Sequence, residues 1–281
     1  METILAITYE PRKAKNFVDY VASLAQDLHR KVLLMYIQEP YDYTIGQPPA
    51  RNYEFSLQVQ KQNAEEGKKL LAEYVRDFAR ESSIQVIFEY KAEIGFPVSL
   101  IDDYVVKNNT GMLILEGQEQ KTLWNGPTSN SDIVRQVNCP VWIIPFGASY
   151  KGFKEIVYVT DYKEEDVPVL KSLIRLTSVY SPSVTALHVT DNKDFEERIK
   201  EVGFTETLQE KTGYKKLSVK SILETKHENV AELINDFAVG SKADLVVVFK
   251  ENRTFFERIL KADSTRKIIK ETQLPVLVIK Q

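Results

Sequence analysis

Three histidines (His29, His188 and His227), one cysteine (Cys139) and a few adjacent acidic residues are what this chain offers for unaided chemistry. The histidines fall in different segments with no His-Glu-x-x-His spacing, and there is no cysteine pair, so no metal centre is expected. Cys139 sits in a turn before an apolar run, with no His or Asn arranged around it, and reads as a small structural residue. Glu65-Glu66, Asp102-Asp103 and Glu164-Glu165-Asp166 are neighbours on helices. Adjacent helical residues point in different directions, so these read as solvated faces and first-turn charges, not as a general acid/base pair. There is no Gly-x-Ser-x-Gly elbow, no Walker loop and no dinucleotide fingerprint. The expectation is a protein without an active site of its own.

The elements that would hold these residues occur twice. Each half opens on a nearly continuous apolar run ending in Thr, Ile4-Leu5-Ala6-Ile7-Thr8 and Ile156-Val157-Tyr158-Val159-Thr160. Each closes on a Pro-Val run, Cys139–Ile144 and Leu274–Ile279. Such runs suit central parallel strands covered on both faces. Second strands fall at 32–37 and 184–189, and fourth strands at 112–115 and 245–248. The third strands alternate, as Ile84, Val86, Phe88 and Tyr90 do against Gln85 and Glu89, which predicts a wetter edge position. Helical stripes lie between them: Phe17, Val21, Leu24; Leu71, Val75, Phe78; Val98, Ile101, Val105; and Val169, Leu173; Val230, Leu233, Ile234, Phe237. With right-handed crossovers the prediction is an α/β chain of two tandem doubly wound domains, 1–147 and 151–281. Each would be a five-stranded parallel sheet of order 3-2-1-4-5 with helices on both faces.

Size and charge agree with that division. A chain of 281 residues suits two domains, and 43% hydrophobic residues give each a core to bury. The net charge of −3, with no marked basic excess in either half, argues against nucleic acid as a partner. The start, Met1-Glu2-Thr3-Ile4-Leu5, lacks the basic and apolar regions of a signal peptide, and no apolar run approaches a membrane span. A lone cysteine excludes a disulfide framework, and a cytoplasmic location is expected.

In their repeated order, several marks resemble the universal stress protein family. They are Thr160-Asp161 closing the first strand of the second half, Gly95-Phe96-Pro97 before the third helix, the Pro-Val opening of both last strands, and Arg135–Val141, similar to the family's last helix-to-strand turn. The resemblance spans both halves. It implies small α/β domains that dimerise, often through the last strand, with tandem members resembling such a dimer fused in one chain. Some members bind ATP through Gly-x-x-Gly, a spacer and Gly-Ser/Thr after the fourth strand; others lack the glycines and do not.

Carried onto this sequence, that motif is degraded. In the second half its positions fall on Phe249, Asn252, Ala262 and Asp263, with Asp161 at the nucleotide-contacting Asp. A ring at Phe249 would bar the backbone from a phosphate. A carboxylate at Asp263 would cap helix amides itself and repel a polyphosphate. In the first half Gly117 keeps the first glycine, Gln120 takes the second, and the spacer is shorter, ending at Gly126-Pro127-Thr128-Ser129. Pro127 removes one N–H, and Tyr9 replaces the Asp. Remaining nucleotide or anion capacity would rest on Thr8, Gly95, Gly117, Gly126, Thr128 and Ser129; the alternative is a turn and cap without ligand.

The expected function is therefore a stress-response binding or scaffold protein with degenerate ATP sites, no obligatory cofactor and no catalysis. Its partner would be a protein or a small ligand, and its halves would dock as a pseudo-dimer that could itself pair. Two rivals are carried: an ATP- or AMP-binding switch working through the first half alone, and an enzyme of the nucleotide α-hydrolase-like group. The Tyr- and Pro-rich stretch 40–49, a loop following the second strand, is expected as a lid or partner-binding surface at the ligand crevice, or as a packed connection.

Overall fold

The computed structural model describes residues 2–40, 50–82, 85–108, 110–117, 130–224, 230–249 and 274–280. The chain divides into two compact units, Met1–Cys139 with Phe146–Tyr150, and Pro140–Pro145 with Lys151–Gln281.

The first unit runs β1 (Thr3–Thr8), a short 3-10 turn (Pro11–Lys13), α1 (Lys15–Asp27), β2 (Lys31–Gln38), α2 (Ala50–Ser82), β3 (Phe88–Ile94), α3 (Pro97–Lys107), β4 (Met112–Glu116) and α4 (Asn130–Gln136). Its strands lie in the order β3-β2-β1-β4, all parallel. β4 is buried along its whole length and β1 beyond Thr3, as unbroken apolar runs must be when helices cover both faces. On α1 the buried residues Phe17, Val18, Val21, Leu24 and Ala25 recur at helical spacing, which docks one face on the sheet. Full burial of each such Val, Leu or Phe contributes about 1.5–3 kcal/mol. Pro97 opens α3, where its missing N–H costs nothing.

In the second unit come β5 (Val141–Ile144), β6 (Glu155–Val159), α5 (Asp166–Leu176), β7 (Ser183–Thr190), α6 (Phe195–Thr212), β8 (Leu217–Leu223), α7 (Val230–Gly240), β9 (Leu245–Phe249) and β10 (Val276–Ile279). The order is β5-β10-β9-β6-β7-β8. All neighbours are parallel except β5, which runs antiparallel to β10 with Trp142 opposite Leu277.

The expected strand order recurs as β3-β2-β1-β4 in the first unit and as β8-β7-β6-β9-β10 in the second. β5 follows α4 in the chain but groups with the second unit. Its four residues are all buried, and Trp142 packs on Phe153 at 5.3 Å between ring centroids. A short strand with two apolar faces goes where both can be covered. The alternating strands β3 and β8 lie at the ends of their sheets, β8 burying Leu217, Val219 and Ser221 while exposing Ser218 and Lys220.

Helix α6 departs from the usual pattern. Phe195, Ile199 and Val202 are 75%, 56% and 60% exposed, while Glu197 and Leu208 face inward. The helix turns a carboxylate toward β8, and a polar cluster forms there.

Candidate functional site

In open parallel sheets the ligand crevice lies at the carboxyl ends of the strands where the chain order reverses. In the first unit that point is between β1 and β4. The last residue of β1, Thr8, is fully buried and donates from Oγ1 to Glu116 Oε2, the last residue of β4, at 2.5 Å. Thr8 Oγ1 also accepts from the Glu10 amide at 3.3 Å. Asn130 Nδ2 donates to the Glu116 carbonyl at 3.0 Å, tying the start of α4 to the end of β4. Glu116 is 7% exposed. Burial pushes its carboxyl up to about 7, the Thr8 hydroxyl opposes this, and the Glu10 charge adds to it. Beside it, burial and the Glu39 and Glu116 carboxylates raise the Tyr9 phenol far above its ordinary value. The crevice floor therefore holds an acid group whose charge depends on pH near neutrality.

Next to this floor, on the β2 side, an open cleft of about 520 Å³ remains. Tyr9 and Arg12 from the turn after β1, Tyr36 from β2, and Asn63, Glu66 and Gly67 from α2 line it. A Cβ at Gly67 would come within 2.6 Å of the Tyr36 ring and 2.9 Å of Pro11, so a glycine is what lets α2 lie this close.

In the second unit the crevice lies between β6 and β9. Thr160 donates to Asp166 Oδ2 at 2.5 Å, Tyr158 OH to Oδ1 at 2.6 Å, and the Lys163 amide to Oδ2 at 3.1 Å. Asp166 is 1% exposed, and burial raises its carboxyl above the usual range against the pull of these three donors. Tyr162 turns back at φ +56, rare for a residue with a side chain, with its amide on Thr160 Oγ1 at 3.0 Å. Its ring lies on His188 at 4.3 Å and edge-on to Phe204 at 5.1 Å. Its hydroxyl donates to Glu197 Oε1 at 2.9 Å and bonds Ser221 Oγ at 2.8 Å, and Ser221 also donates to Glu197 at 2.8 Å. Burial would raise Glu197, but Ser221, Tyr162 and the nearby His188 and Lys200 outweigh it and hold the carboxyl below its ordinary value. Lys193 donates to the Ser221 carbonyl at 2.8 Å, and Glu201 accepts from the Ser221 amide.

Set against the residues expected from sequence, Thr8 is in the crevice but committed to Glu116, and Gly117 follows buried at the end of β4. Gly95 holds the turn from β3 to α3: its amide donates to the Gln38 carbonyl, and its bare Cα faces Leu100. Phe249 is the last residue of β9, buried and paired opposite Ile279. Asp161 stands 3.9 Å from His188 Nδ1 and lies outside the helix, which begins at Asp166. Gly126, Thr128, Ser129, Asn252, Ala262 and Asp263 lie outside the described residues, as do His227 and 41–49. The reading of Glu164-Glu165-Asp166 as a solvated run is corrected at its third member: Glu164 and Glu165 are exposed, whereas Asp166 is buried because three donors converge on it. Glu116, Tyr162, Glu197 and Ser221 were not singled out. A Glu closing an otherwise apolar fourth strand was the one available signal. Among the described residues no group of three or more His, Cys, Asp or Glu could hold a metal ion. No described helix is long and apolar enough to cross a membrane.

Comparison with known proteins bears on this architecture. Residues 152–280 match the model of the Universal stress protein family. A universal stress protein of Methanocaldococcus jannaschii is 29% identical over 141 residues, covering 46% of this chain and 83% of the relative. The solved structure of a universal stress protein from Archaeoglobus fulgidus DSM 4304 matches with a TM-score of 0.63 at 12% identity, over 99% of this chain and 96% of that one. A functionally unknown protein from Pseudomonas aeruginosa PAO1 matches with a TM-score of 0.56 at 16% identity, over 100% of this chain and 92% of that one. At such identities the likeness establishes the α/β fold, over the first unit as well as the second.

Proposed function

We propose that this chain is a tandem universal stress protein that acts by binding, with neither ATP as a cofactor nor catalysis of its own, its two copies working as a fused pseudo-dimer in the cytoplasm. One observation carries the reading. At both switch points a buried carboxyl is bonded to the Thr closing the first strand, Glu116 to Thr8 in one unit and Asp166 to Thr160 in the other. A triphosphate approaching the end of β4 would come near the Glu116 carboxyl, which repels it in its charged form. The end of β9 offers a buried Phe249 where the family's phosphate loop would begin. The antiparallel β5–β10 pair is consistent with a dimer-like joining of last strands. The charge of −3 favours a protein or small-molecule partner over nucleic acid.

Equilibrium dialysis of the full chain with ATP and AMP tests this. No saturable nucleotide binding and no phosphate release are expected. Tight binding of ATP that Gly117→Trp abolishes would sink the proposal and install the second reading, a nucleotide switch through the first unit. One observation favours that second reading: Gly117 is retained at the end of β4. ATP turnover lost on replacing Thr128 and Ser129 would instead revive an enzyme.

A further inference from the structure

The same turn occurs in both units with different occupants. In each, the Thr closing the first strand accepts a hydrogen bond on Oγ1 from the amide two residues on, Glu10 at 3.3 Å and Tyr162 at 3.0 Å. Tyr36 pairs opposite Thr8, and His188 Nδ1 lies 2.9 Å from the Thr160 carbonyl one residue beyond the last β6–β7 pair. Glu10 is therefore the counterpart of Tyr162, and Tyr36 that of His188.

Tyr162, at φ +56, folds its phenol down onto His188 and Phe204 and delivers its hydroxyl to a carboxylate on the long helix α6. Glu10 sits at φ −129 and sends its carboxylate to Lys13 at 3.1 Å. Among the described residues, no phenol stands at the Glu10 position in the first unit. A cleft of about 520 Å³ lies there, with Tyr36 as one wall and α2, the counterpart of α6, as the other. That volume falls in the range of sites for small organic ligands, roughly 300–1,000 Å³.

The lining specifies what fits. Tyr9, Tyr36 and Leu70 supply ring and aliphatic faces. Glu66 and Asn63 on α2 offer groups for a hydroxyl, as Glu197 on α6 does for Tyr162. Among the described residues the Arg12 guanidinium has no partner, although its backbone carbonyl accepts from Tyr74. An unpaired guanidinium at a cleft edge favours a carboxylate.

We propose that this cleft is a binding site for a small hydroxyaromatic acid, its ring held against Tyr36, its hydroxyl toward Glu66 and its acid group at Arg12. The second unit supplies the equivalent phenol from its own chain through Tyr162. The inference rests on the reading that the protein works by binding, and it places that activity in the β2 side of the first unit, apart from the end of β4.

Calorimetric titration of the full chain with para-hydroxybenzoate is the test. One saturable site per chain is expected. Arg12→Gln should weaken it about tenfold, as losing one charge-assisted contact does, while leaving binding of the neutral para-hydroxybenzyl alcohol unchanged. Glu10→Tyr, checked for native circular dichroism, should abolish binding by supplying the ring from the chain. Absence of binding to the wild-type protein, or binding insensitive to both Arg12→Gln and Glu10→Tyr, overturns the assignment. Neither result touches the ATP question, which turns on Gly117→Trp.

Discussion

Thr8 and Glu116 stand 108 residues apart in the chain, yet the Thr8 hydroxyl donates to the Glu116 carboxyl at 2.5 Å across the point where the first sheet's order reverses. The bond ties the carboxyl ends of β1 and β4 together where this architecture places its ligand crevice. It also places a nearly fully buried acid whose charge depends on pH near neutrality.

The first prediction follows from that acid. Its carboxyl is raised from 4.5 to about 7 in the folded protein. The folded state then holds the proton more tightly than the unfolded one, so the stabilisation is complete below about 4.5 and is lost as pH rises through 7. A shift of that size corresponds to roughly 3 kcal/mol at most. Glu116→Gln keeps an acceptor for Thr8 and should flatten the dependence, making the variant more stable than wild type at pH 8 but not at pH 4. Urea titrations at the two pH values check this, and equal slopes for both proteins would refute it.

Asp166, buried at the switch point of the second unit, gathers donors from Thr160, Tyr158 and the Lys163 amide. Asp166→Ala leaves two buried hydroxyls and an amide without their acceptor and should cost about 3 kcal/mol. Asp166→Asn, with one oxygen retained, should cost less. Chemical denaturation followed by tyrosine and tryptophan fluorescence measures both, and an alanine variant as stable as wild type would contradict the burial.

Glu197 runs the other way. Its carboxyl lies below the ordinary value, so its contribution is present above the unfolded pKa and disappears as pH falls through the folded one. Tyr162→Phe removes one of its donors while keeping the ring on His188 and Phe204. The expected loss is about 1–2 kcal/mol at neutral pH. Carbon NMR of labelled glutamate should show the Glu197 carboxyl titrating at higher pH in the variant than in wild type.

Gly67 tests the closeness of α2. In an exposed helix Gly→Ala gains about 1 kcal/mol. Here the added methyl would stand 2.6 Å from the Tyr36 ring and 2.9 Å from Pro11, and overpacking costs about 1–3 kcal/mol. Gly67→Ala should therefore destabilise the first unit. A thermal melt showing the usual helical gain would mean that the ring and the turn yield easily.

What the sequence determined by itself was local and periodic. Unbroken apolar runs at β1, β4, β6 and β9 announced buried strands, and the alternation of Leu217, Ser218, Val219 and Lys220 announced an edge. Tertiary structure decided the rest. It set β5 antiparallel to β10, an orientation that no periodicity within four residues specifies. It buried Asp166 while leaving Glu164 and Glu165 in water, since three donors meet at one carboxylate only after the strand and turn are placed. Parallel pairing aligns strand ends that lie far apart in the chain, and the register of that pairing, invisible to any periodicity, brought Glu116 to Thr8 and Ser221 to Tyr162.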